Sequence, residues 1–80
     1  MSDLRLALTN RYFGFGGTDD YVVFDGDRVI GRILLQPQAP EGQPWFWTIT
    51  AADKMPSVHN KGYSVTREEA MADFKARWLA

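Results

Sequence analysis

The chain has 80 residues, with nine basic and ten acidic side chains, a formal net charge of −1 and no cysteine. That length fits one domain, 1–80, with a thin core. The missing cysteines exclude disulfide staples, thiolate zinc sites, cysteine nucleophiles and redox switching, and the charge balance lacks the basic excess of a typical nucleic-acid binder.

Hydrophobic residues make up 45% of the chain and charged ones 24%, a balance that belongs to a folded domain and not to a disordered one. Small exported domains ordinarily rely on disulfides, so the composition points to the cytoplasm. Met1-Ser2-Asp3-Leu4-Arg5 has neither the basic start nor the apolar run of a signal peptide. No stretch approaches the roughly 20 apolar residues of a membrane span.

Leu4, Leu6 and Leu8 alternate with Arg5, Ala7 and Thr9, the period of a first strand. Tyr12-Phe13-Gly14-Phe15-Gly16-Gly17-Thr18 reads as a loop carrying aromatic residues. Tyr21-Val22-Val23-Phe24 and Arg28 to Leu35 are two β-forming runs joined through Asp25-Gly26, a strong hairpin signal because such turns need positive φ. Gly31, inside the second run, marks a bulge or a place where a large side chain covers bare backbone. Gln36 to Pro44 holds Pro37, Pro40, Gly42 and Pro44 and reads as a stiff exposed loop.

Trp45 to Thr50 forms another strand, with Trp45, Trp47 and Ile49 on one face and Phe46, Thr48 and Thr50 on the other. Ala51 to Val65 has no clear period, a length that suits a functional or mobile loop. Thr66-Arg67-Glu68-Glu69 is a capping box that opens a helix. Ala70, Met71, Phe74 and Trp78 share one stripe of it, and a helix of about 13 residues needs such a stripe to dock. The expected fold is α+β: a three- to four-stranded antiparallel meander packed against one C-terminal helix.

Several groups could carry chemistry. His59 is the single histidine, and no nucleophile or carboxylate stands at a recognisable spacing from it, which favours a solvated loop residue. Asp19, Asp20, Asp25 and Asp27 cluster, but the glutamate that would close a calcium loop is missing, and Asp25 and Asp27 suit a turn. Gly14-Phe15-Gly16-Gly17 lacks the third glycine and the strand–helix setting of a phosphate loop. The chain therefore shows no catalytic set, no metal site and no cofactor site.

The sheet offers more. In plain alternation, Arg28, Ile30, Arg32 and Leu34 share one face of their strand, while Val29, Gly31, Ile33 and Leu35 share the other and meet the helix. Arginine beside aromatic residues on an open sheet suits protein contact or nucleic acid, while its plain reading is arginine stems lying over apolar surface. The candidate interaction residues are Arg28, Arg32, Trp45, Trp47, His59 and Lys61.

Asp20-Tyr21-Val22-Val23, Gly31-Arg32-Ile33, Pro44-Trp45-Phe46-Trp47-Thr48 and the run Thr66 to Trp78 together resemble a group of short, uncharacterised alphaproteobacterial proteins of rhizobial type. The resemblance spans about residues 20 to 79 and implies a compact bacterial domain without an assigned activity. At fold level the strand–helix order is also similar to plant AP2-type domains and to the arm-binding domains of phage-type integrases, which lay a sheet in the DNA major groove. Those sheets are more basic than this one, and fold alone does not carry function. The expectation is a non-enzymatic module that binds protein, another chain or its own copy, through the open sheet face with the loop from Ala51 to Val65. Nucleic-acid binding by the same face is the alternative.

Overall fold

The computed structural model describes residues 4–14, 17, 19–51 and 56–80. In chain order come β1 (Leu4–Leu8), α1 (Thr9–Phe13), β2 (Asp20–Asp25), β3 (Arg28–Leu35), β4 (Trp45–Ile49), a 3-10 turn (Val58–Asn60), β5 (Lys61–Ser64) and α2 (Arg67–Trp78). The strands form one antiparallel sheet whose spatial order is the chain order. The α+β class and the helix against the sheet agree with the sequence reading, but the strands among the described residues number five. The extra strand, β5, comes from the segment read as a loop.

The β2–β3 hairpin turns at Gly26-Asp27, where Gly26 has φ 63° and no other residue of the turn is left-handed. Positive φ at the first central position alone is the signature of a type II′ turn, whose twist suits flanking strands. The preceding connection is not all loop. Thr9–Phe13 make one helical turn, ended by Gly14 at φ 76°, whose amide donates to the Asn10 carbonyl at 2.8 Å. One turn is too short to show a period in sequence. Phe15, Gly16 and Thr18 of that loop lie outside the described residues.

A bulge in β3 changes the expected faces. Val23 pairs with Gly31, and the next residue, Phe24, pairs with Val29, so Ile30 is extra. The Ile30 carbonyl instead accepts the Thr50 and Ala51 amides at 2.9 and 3.2 Å. Below the bulge the alternation is displaced by one. Arg28 and Ile30 therefore join Gly31, Ile33 and Leu35 on the helix side, while Val29 joins Arg32 and Leu34 on the other. The expected set Arg28–Ile30–Arg32–Leu34 is split, and Arg28 ends beside the helix, 6.0 Å from the Trp78 ring.

Trp45, Trp47 and Ile49 face α2, in the division expected for β4. The core on this side comprises Val23, Ile30, Ile33, Trp47, Ile49, Ala70 and Phe74, flanked by half-buried Leu4, Leu6, Trp45, Met71 and Trp78. Two glycines let the large rings in. A methyl at Gly31 would fall 2.4 Å from the Phe74 ring, and one at Gly62 would fall 2.9 Å from the Trp47 ring. β5 is thus held by an indole lying on its bare backbone, which compensates for the poor strand propensity of Lys61 and Gly62.

Polar ties fix the helix at both ends. Arg67 donates to the Tyr21 hydroxyl at 2.7 Å, and the Ser64 hydroxyl donates to Asp73 at 2.7 Å. Arg77 donates to Asn60 at 2.9 Å, and the Trp78 indole donates to Asp25 at 3.2 Å. At the start of the helix the Thr66 hydroxyl accepts the Glu69 amide at 3.1 Å, as the capping box requires. Replacing Thr66 with alanine is expected to cost about 1 kcal/mol. Urea unfolding monitored by circular dichroism would show it as a lower midpoint at unchanged slope.

Candidate interaction surface

The sheet face away from α2 divides in two. Over β1 and β2 it is covered by α1. The Tyr12 ring sits 4.7 Å from that of Phe24, and the Arg5 guanidinium lies 4.6 Å from the Phe24 centroid. Val22 and Phe24 are fully buried as a result, while Tyr12 and Phe13 stay about half exposed.

The seam of that cover is a charged clamp. Buried Thr9 donates to Asp20 Oδ1 at 2.7 Å, and Arg32 Nε donates to the same oxygen at 3.2 Å. Arg32 Nη2 pairs with Asp20 Oδ2. This fork joins the start of α1, the start of β2 and the middle of β3. It also means that the Arg32 charge is engaged within the domain and is not an open cation for a ligand.

The second half, over β3, β4 and β5, carries no helix among the described residues. Leu34, Phe46 and Tyr63 line up across the three strands, because Leu34 pairs with Phe46 and Phe46 with Tyr63. The Phe46 and Tyr63 rings are tilted at 48°, with centroids 5.2 Å apart. Tyr63 is 40% exposed. Arg32, Thr48 and Lys61 form the next row, paired in the same order. The surface is thus an apolar ridge beside a polar row ending in an exposed lysine.

The six residues singled out from sequence do not converge. Arg32 and Lys61 share the open face. Trp45 and Trp47 lie on the opposite face, and Trp47, only 7% exposed, packs at 6.2 Å from Phe74. Arg28 lies beside Trp78 on the helix side. His59 is exposed in the 3-10 turn, where its amide donates to the Ser57 hydroxyl at 3.1 Å. Tyr63 was not legible as a surface residue, since only the pairing of β5 with β4 places it beside Phe46.

Two members of the aspartate cluster have structural roles: Asp20 in the clamp, Asp25 on Trp78. Among the described residues no three His, Cys, Asp or Glu side chains come together as metal ligands. A hollow is lined by Gln36, Pro37 and Gln38, and none of these three side chains titrates. Among the described residues, no helix is long and apolar enough to cross a membrane. Comparison with protein families, with curated proteins and with solved structures found no match.

Proposed function

We propose that this domain is a non-enzymatic protein-binding module and that its binding surface is the Leu34–Phe46–Tyr63 ridge with Lys61 at its margin. The observation that carries the reading is the cross-strand pair of half-buried Phe46 and exposed Tyr63, on the face of β4 and β5 turned away from α2. Aromatic side chains on a rigid sheet contribute contact area at small entropic cost and dominate binding hot spots. The matching partner presents an aliphatic or aromatic side chain with a carboxylate next to it, to meet Lys61. Nucleic acid is the weaker reading, because the clamp on Asp20 engages Arg32, leaving a face with little free positive charge.

The test uses a Phe46→Ser/Tyr63→Ser variant. Proteins cross-linked to the wild-type domain in a cell extract would be identified, purified and titrated against both forms. The expected result is saturable binding by the wild type and a loss of at least about tenfold for the variant, whose indole signals still report a folded core. Equal binding by both forms would place the interface elsewhere. Amide shifts on this face with short oligonucleotides, reversed by salt, would transfer the reading to nucleic acid.

A further inference from the structure

The two edges of the sheet are built differently. β5 is four residues long and carries Lys61 and Gly62, features that discourage strand addition. β1 is Leu-Arg-Leu-Ala-Leu, with no proline, glycine or inward charge to blunt it, and among the described residues its outer edge pairs with no strand. Leu4, Leu6 and Leu8 point to the helix side, since Leu6 pairs with Val23 and Leu8 with Tyr21. α2 lies over β3, β4 and β5 and leaves this leucine row at the margin, half-buried.

We propose that β1 pairs antiparallel with β1 of a second copy of this chain, about a two-fold axis through Leu6, making a continuous ten-stranded sheet. This interface is separate from the ridge of Phe46 and Tyr63 and stands or falls independently of it. The sequence of β1 is self-complementary in that register. Leu4 meets the partner copy's Leu8, Leu6 meets itself, and Arg5 meets Ala7, so no like charges stand directly opposite. An axis perpendicular to the sheet keeps both α2 helices on one side. The two leucine rows then merge into one apolar strip between them, and the outward amides and carbonyls of both edges are satisfied. A strand slipped by one residue would turn the leucines of one copy toward the opposite face, so the leucine pattern itself specifies the register.

Light scattering across a concentration series tests this, with Ala7→Lys as the variant. Lysine at that position faces Arg5 of the second copy twice, and Ala7 lies outside the core cluster. The wild type is expected to double its mass as concentration rises, and Ala7→Lys to weaken association about tenfold. The double variant Arg5→Glu/Ala7→Lys should restore it. A sample mixing labelled and unlabelled wild-type chains should give an inter-chain Leu6–Leu6 contact in a filtered Overhauser spectrum, a readout that holds even if a variant folds poorly. A monomer up to millimolar concentration, or a dimer whose inter-chain contacts avoid β1, would overturn the proposal.

Discussion

Replacing Gly31 with alanine is expected to be among the most damaging single changes available to this domain. The new methyl would stand 2.3 Å from the Thr48 carbonyl oxygen and 2.4 Å from the Phe74 ring. The first of these is backbone in the neighbouring strand and cannot rotate away. Overpacking a core ordinarily costs about 1–3 kcal/mol, and a clash with fixed backbone belongs at or above the top of that range. A domain of this size holds roughly 4–12 kcal/mol in total. Thermal unfolding should therefore show the midpoint falling by more than about 12 °C. Phe74→Ala removes the other half of the contact and should cost about 3–5 kcal/mol on its own, since the ring is fully buried. The two changes together should cost less than their sum, because the cavity left by the ring receives part of the strain. Strict additivity, or a Gly31→Ala protein as stable as the wild type, would show that the ring does not press on this backbone.

Asp20→Ala is expected to cost about 2–3 kcal/mol, and Asp20→Asn about half as much. The alanine leaves the Thr9 hydroxyl and the Arg32 guanidinium without their shared acceptor, and Thr9 is fully buried. Asparagine keeps an oxygen to accept from Thr9 and Arg32 Nε, but loses the charge and turns an NH2 donor toward Arg32 Nη2. Arg32 is partly exposed, so solvent moderates the loss below that of a fully buried pair. The effect should also be local. Hydrogen exchange of the α1 amides should accelerate in the alanine variant far more than that of β4. Uniform acceleration across the sheet would mean that the clamp serves the whole fold rather than the cover over Phe24.

What the sequence disclosed depended on how local its cause was. The Asp25-Gly26 turn and the Thr66 cap are decided by neighbouring residues, and both stand as expected. Gly31 carried two readings, a bulge or a covering ring, and both hold at once. The side of the sheet reached by Arg28 could not be read, because it depends on whether Ile30 counts in the pairing, a choice made by the partner strands. The role of the tryptophans went the same way: β4 was divided correctly, but only the position of α2 decides which of its faces is covered. β5 was hidden because its order comes from Trp47, 15 positions away from Gly62 in sequence, and not from its own propensities. The visible signal for an open face was arginine and tryptophan. The surface that remains open carries phenylalanine, tyrosine and leucine instead.

The coincidence of spatial and chain order in the sheet has a kinetic consequence. Each strand finds its partner next to it along the polypeptide, so every hairpin closes a short loop at small entropic cost. Hydrogen bonds of long reach belong to α2, which meets Asp25 across 53 positions and Tyr21 across 46. During synthesis all five strands emerge before that helix does. The nascent sheet must wait, with Ile33, Ile49 and the bare backbone at Gly31 facing water, until Phe74 arrives to cover them. Docking of α2 thus completes the core, and chaperone contact with the nascent chain is expected in the interval before it.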